Sequence, residues 1–530
     1  MPTKKISESQ KSSGKKNASA KKGARKASRE TAAAAEVRLR SPTRRQVSVA
    51  LLAAAPKFER PKRIHPRRRL PYVTEGNEVA IPSPTPQLNF ELPLAAHALA
   101  AAAVTDNIAL AKNTELTSPG TNNTASIVGE PSLASNGNVV MYAGNWYAAI
   151  SSDGGDTFQF LDPAEVFREF DPPGLSFCCD QVVHYIRQID TFVWLLQYGN
   201  SNPNQPDGDN IQRLAIARTA DVAAGRWRLF DITTATFGTP GAFLDFPDLA
   251  VGANALYVTT NVFPQDPNSP AVGAVLRIPF AGLVSGNVTA RPFVAPEDFS
   301  LRVAQNCGTR VFFAAHRDTS TLNVYSWRES DAAPSAPRPV SVARWEGLDG
   351  YVSRTPDGRR WLDRADPRIT GATKVGNELW FAWGVDKGGA NNRPHPFVQL
   401  ARINSTNMTL IENVNIWSQD FAACYAALAT NSNNEVGVSY MIGGGNKFPS
   451  HVVGMLTGAR KDLIVAEGTR SPAPDPRTGK FEWGDYLSVR RHFPRQKLFA
   501  ASGFTLQSGG TDSGRDTTPR FVLFGRAGDV

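Results

Sequence analysis

Seven short segments carry an acid, a base or a phenol at or near the start of an apolar run. These are Glu130, Asp180 with Gln181, Asp245 and Asp248, Arg302, Asp366 with Arg368, Tyr425, and Asp485 with Tyr486. Carboxylates crowded together raise one another's pKa, so one can hold a proton as an acid while another stays ionised as base or nucleophile. That is the pairing that cleaves a glycosidic bond. On this chemistry the catalytic candidates are Asp180, Asp366, Asp485 and Glu130, and the substrate-binding candidates are Arg302, Arg368, Gln181, Tyr425 and Tyr486. The idea requires Asp180, Asp366 and Asp485 to face one cavity. The plainer reading is that carboxylates at strand starts accept backbone hydrogen bonds. Hard oxygen ligands would also suit a structural calcium ion, with no other cofactor implied. His184, His316 and His395 show no ligand spacing, and the four cysteines form no CxxC pair, so no transition-metal site is expected.

Residues so far apart can meet only if the elements carrying them repeat. The segments start at 130, 180, 246, 300, 366, 425 and 484, a mean spacing of about 59, and all place an aliphatic residue fourth. Each is followed by a second apolar strand: Val139 to Ala143, Phe192 to Leu196, Leu256 to Thr260, Val311 to Ala315, Leu379 to Trp383, Val436 to Tyr440 and Leu498 to Ala501. Units of that length, with three or four short strands and no helical period, predict an all-β fold, a seven-bladed β-propeller over residues 119–530. Six blades are the alternative count. In a propeller the innermost strands all begin around one mouth of the central channel, which would bring the candidates together. The last unit is short of a strand, so Asn107 to Leu116 is predicted to supply it and latch the ring.

The clearest unit runs from Glu130 to Phe158, with an Asn136-Gly137 hairpin signal and a final turn, SSDGGDTF. That turn, Ser151 to Phe158, resembles the Asp-box (S-x-D-x-G-x-T-aromatic) of sialidase-like BNR-repeat propellers. Weaker relatives stand at Thr219 to Trp227 and at Ser353 to Trp361. The resemblance covers residues 119–530 as architecture and implies a sialidase-superfamily propeller. The box itself stabilises a turn and implies no activity. Family enzymes also carry an R-I-P near the first blade, one of three arginines for a substrate carboxylate. Here Arg277-Ile278-Pro279 falls in the third unit and reads as a strand end, so the family's catalytic residues do not transfer by position.

Charge divides the chain. Residues 1–70 hold 21 Lys and Arg against 4 Asp and Glu, whereas the whole protein is +10, leaving the remainder mildly acidic. Residues 1–70 therefore read as a disordered basic tail able to attract a polyanion, and 71–118 as a linker with a short helix around Leu94 to Val104 and the latch strand. Arg44-Arg45 ahead of Val47 to Ala55 resembles a twin-arginine export signal, which leans the localisation toward export. No apolar run reaches the length of a membrane-spanning helix. Cys178 and Cys179 are expected as buried thiols, with an adjacent-residue disulfide as the alternative. Trp146, Trp194, Trp380 and Trp383 are expected in blade cores. The leading expectation is a propeller that binds carbohydrate or another small polar ligand at its channel mouth, with glycoside hydrolysis the reaction in view. The competing one is a non-catalytic scaffold tethered to a polyanionic partner by its tail.

Overall fold

The computed structural model describes residues 35–43, 45–53, 73–77, 107–116, 129–201, 208–266, 268–458, 460–475, 479–507 and 517–530. Seven antiparallel sheets follow one another and form the blades of a propeller. Their innermost strands are Ser132–Asn136, Leu175–Ile186, Phe243–Val251, Arg302–Val303, Ile369–Val375, Ala422–Thr430 and Ser488–Arg491. Each touches the next around the ring, the seventh closing on the first. Six of the seven expected second strands lie within observed ones, and the seventh, Leu498 to Ala501, begins one residue before the observed Phe499–Thr505.

Closure uses the predicted latch. Ile108–Glu115 pairs antiparallel with Thr518–Arg526 and completes the seventh blade as its outermost strand. On the channel side Ser488 Oγ accepts from the Leu133 amide at 3.1 Å, and Ser502 Oγ donates to the Pro131 carbonyl at 2.8 Å. The blades pack through large side chains. Trp194 lies between Trp227 and Phe167, and Trp146, Trp380 and Trp383 are buried as expected. His316 sits between Trp345 and Trp383, with ring centroids 4.9 and 5.0 Å away.

The N-terminal region departs from the expectation of disorder through residue 70. Val37–Arg38 adds a strand to the outer edge of the third blade and Val47–Ser48 to that of the second, and Leu52 bridges Phe160 on the first. Leu39 and Val47 are buried in the process. The physical reason is that an outer strand has one unpaired edge, so two extended residues suffice to satisfy it. The run that resembles an export signal is thus in part built into the second blade. The remainder of the tail, 1–34 and 54–70, and the expected helix near Leu94 lie outside the described residues.

The turn after the third strand of the first blade is held by its own side chains. Ser151 Oγ accepts from the Gly155 amide at 2.8 Å, while Asp153 accepts from the amides of Asp156 and Thr157, both at 2.9 Å, and from the Thr157 hydroxyl. Desolvation of Asp153 is outweighed by these hydrogen bonds, which hold its carboxyl well below the usual range. Gly155 has φ +87°, and a Cβ there would meet Phe521 at 2.4 Å, so the turn packs directly on the seventh blade. Phe158 anchors it on the same Phe521 ring. Thr219 to Trp227 occupies the equivalent place between third and fourth strands. Ser353 to Trp361 does not, because it lies in the connection between the fourth and fifth blades.

Candidate functional site

The starts of the innermost strands are locally irregular. Register shifts interrupt the pairing between Phe177 and Gln181, Asp245 and Asp248, and Cys424 and Ala427. Glu130, Phe246, Ser300 and Tyr425, each the first residue of its repeat unit, adopt positive φ of 40°, 54°, 58° and 61°. A non-glycine residue in that region costs on the order of 1 kcal/mol, and a bulge re-aims the side chains it carries. Four such residues at one repeat position mean that the backbone of the ring is bent to present this mouth. Cys178 and Cys179, expected as thiols, are joined as a disulfide inside the bulge that precedes Asp180.

At the centre lies Arg364, which the repeat pattern does not mark. Its guanidinium donates to both carboxylate oxygens of Asp485 at 3.0 and 3.1 Å, stands 3.5 Å from Glu130 Oε1, and reaches Glu482 at 4.0 Å. Burial opposes its charge, yet Asp485, Glu130 and Glu482 raise its pKa well above the ordinary value. Asn145 Nδ2 donates to the second Glu130 oxygen at 2.7 Å.

Asp180 stands beside this group and differs from it. Its side chain accepts no hydrogen bond among the described residues, and only 7% of its surface is exposed. Burial, then the neighbouring charges of Glu130, Asp245 and Asp485, raise its pKa well above the usual range, with Arg364 acting in the opposite sense. Tyr486 completes the cluster. Its buried hydroxyl has no partner among the described residues, and burial together with Asp180, Glu130, Asp485 and Asp248 raises its pKa strongly.

The other expected residues divide. Arg368 pairs with Asp366 at 3.2 Å and lies over the Phe246 ring at 4.8 Å; that ring contacts Tyr486 edge-on at 5.9 Å. Asp366 lines a cavity of about 320 Å³ together with Asp349, Arg360, Asp363 and Lys480. Neither Asp180 nor Asp485 lines that cavity; the two stand near enough for the charge of Asp485 to act on Asp180, whereas Asp366 faces this separate space. Arg302 is held deeper in the channel by Asp248 at 3.1 Å and by the Thr370 carbonyl. Tyr425 packs on Trp361. The Gln181 amide is engaged in the wall between the first two blades: it donates to the carbonyls of Gly144 and Tyr147 and accepts from Trp194 Nε1. Arg277, in the R-I-P tripeptide, lies over Trp327 at a strand end, away from this cluster.

Two long inter-blade connections meet at the cluster, residues 342–368 between the fourth and fifth blades and, between the sixth and seventh, the described residues 467–475 and 479–487. Ser471 donates to Thr355 and Asp357, both at 2.6 Å, the Phe481 amide donates to Asp363, and Trp361 meets Trp483 edge-on at 6.1 Å. With Arg364 on one connection and Asp485 on the other, the cap is tied through the cluster itself. Glu130 is completely buried beneath it. Among the described residues no group of three or more His, Cys, Asp or Glu side chains is arranged to hold a metal ion, and no helix is long and apolar enough to cross a membrane.

No family model and no curated protein matches the sequence. Among solved structures the chain is similar to an α-L-arabinanase of Penicillium chrysogenum complexed with arabinobiose, at 9% identity, TM-score 0.34, over 78% of this chain and 98% of that one. It is also similar to a GH93 α-L-arabinofuranosidase of Fusarium graminearum, at 10% identity, TM-score 0.38, over 79% and 98%. A Trypanosoma rangeli sialidase complexed with sialic acid matches at 11% identity, TM-score 0.34, over 62% and 54%. The residue assignments rest on the geometry above.

Proposed function

We propose that the cluster beneath the cap binds a carbohydrate or another small polar ligand and that the protein is a glycoside hydrolase with Asp180 as its proton donor. The observation that carries this is the asymmetry between neighbouring carboxylates. Asp180 is buried without a hydrogen-bond partner among the described residues and favours its neutral form, while Asp485 and Glu130 face the guanidinium of Arg364. Environments that push adjacent carboxyl groups apart in this way assign acid and base. In the reaction Asp180 would donate its proton to the departing glycosidic oxygen, and Asp485 or Glu130 would act on the opposite side as nucleophile or as base for water. Arg368 and Tyr486, joined through Phe246, would position hydroxyl or carboxyl groups of the ligand. The two connections must part to admit it. The turn at Ser151 to Phe158 acts on this reading as an Asp-box, a device of the scaffold alone.

The test is a panel of chromogenic glycosides together with a glycan array, run on the wild type, Asp180→Asn and Asp485→Asn. Hydrolysis of at least one glycoside, lost in both variants by about 10²-fold or more, is the expected result. Glycan binding without hydrolysis would make the protein a lectin, and the absence of both would overturn the reading.

A further inference from the structure

The channel has a second end. Where the innermost strands finish, six of the seven blades line a cavity of about 390 Å³ with Ser135, His184, Val251, Asn306, Thr430 and Arg491 among its walls. This face is opposite the carboxylate cluster, and its chemistry is opposite too. The lining carries three arginines, Arg187, Arg490 and Arg491, and no carboxylate. His184 adds no charge, because burial and then Arg490 depress its pKa to about 4; its Nε2 contacts Gln305 Oε1 at 3.0 Å.

The arginines are under-compensated. The carboxylate facing Arg490 is Asp248, 3.8 Å away and already paired with Arg302 at 3.1 Å, so two guanidiniums share one carboxylate. Arg490 Nε is buried without a hydrogen-bond partner among the described residues. Arg491 donates through Nε and Nη2 to Thr430, Asn306 and Asn431, with no carboxylate among its partners. Arg187, on the rim, contacts Gln496 weakly at 3.4 Å. Burial lowers the pKa of both Arg490 and Arg491, yet an arginine side chain keeps its proton in a protein, so the unbalanced charge stays. Buried charge without a counter-ion is costly, and guanidinium forks match the oxygens of phosphate and carboxylate groups.

We infer that this cavity is a second ligand site, for a small molecule bearing a phosphate or a carboxylate, held by Arg490 and Arg491 at the channel floor with Arg187 at the rim. Tyr185 and Phe493, edge to face at 5.6 Å, supply an apolar wall for the rest of the ligand. The inference is independent of hydrolysis at the other mouth.

Calorimetric titration of the full chain with inorganic pyrophosphate in one arm and citrate in another tests it and separates the two anion chemistries. One-to-one saturable binding of at least one probe is expected, weakened tenfold or more in Arg490→Gln and Arg491→Gln and less in Arg490→Lys, which keeps the charge without the fork. Binding to the basic N-terminal residues would survive in all three variants, so undiminished affinity in them would overturn the inference. So would the absence of saturable binding by either anion. If Arg490→Gln does not fold, as judged by circular dichroism, Arg187→Gln carries the test, since that side chain lies at the exposed rim.

Discussion

A carboxyl group that is buried among other carboxylates favours the proton, and the stability of the protein should register it. The folded pKa of Asp180 lies above its unfolded value, so the native state binds more protons than the unfolded one in that window. Stability contributed this way is present at low pH and is lost as pH rises through the folded pKa. Asp180→Asn removes the penalty while keeping the shape. Its melting temperature should equal or exceed that of the wild type at pH 8 and show a smaller advantage at pH 4, even as activity disappears. A melting temperature that falls at both pH values would make Asp180 a structural carboxylate instead. Arg364→Ala should behave in the reverse way. It leaves Asp485 and Glu130 buried without their cation, a loss of about 3–5 kcal/mol that denaturant unfolding would measure. The sequence exposed part of this arrangement. Glu130, Asp180, Asp485 and Tyr486 could be grouped because each stands at a repeated register position. Arg364 could not, because it comes from a connection that occurs once. The contacts of Gln181 were not legible either, because the bulge after Phe177 sets its amide against the first blade.

Elements that occur singly explain most of what the repeat pattern missed. The strap formed by Val37–Arg38, Val47–Ser48 and Leu52 uses pairs of residues too short for any hydrophobic period, inside a stretch whose basic composition reads as tail. The latch strand was legible only because the last unit lacked a partner. Removing residues 1–116 should therefore destabilise the protein severely, since Thr518–Arg526 loses its neighbour. Removing residues 1–53 strips edge pairs and the buried Leu39 and Val47 side chains while leaving the ring's closure intact, and should lower the melting temperature by a few degrees, an effect differential scanning fluorimetry resolves. The turn at Ser151 makes a milder case. Asp153→Ala loses hydrogen bonds on an exposed side chain and should cost about 1 kcal/mol with no change in ligand affinity. The SRTPDGRRW segment, similar in letters to that turn, instead builds the cap, where Thr355 and Asp357 meet Ser471.

On the scale of the whole molecule, the propeller places two chemically opposed mouths at the ends of one channel. The upper one gathers carboxylates around Arg364 beneath a cap, and the lower one gathers arginines with no carboxylate in the lining. Between them Asp248, Arg302 and Arg490 form the channel wall. Seven blades were legible because strand alternation and turn residues recur in every unit. What each mouth carries depends on side chains whose neighbours come from other blades, and a linear pattern shows that only where register is shared. The central claim is that Asp180 favours its protonated form beside carboxylates that face the guanidinium of Arg364. A difference infrared spectrum at pH 7, wild type against Asp180→Asn, reads this directly. A carboxylic-acid carbonyl band present in the wild type and missing from the variant is the predicted result. A carboxylate band in its place would show Asp180 ionised and contradict the account.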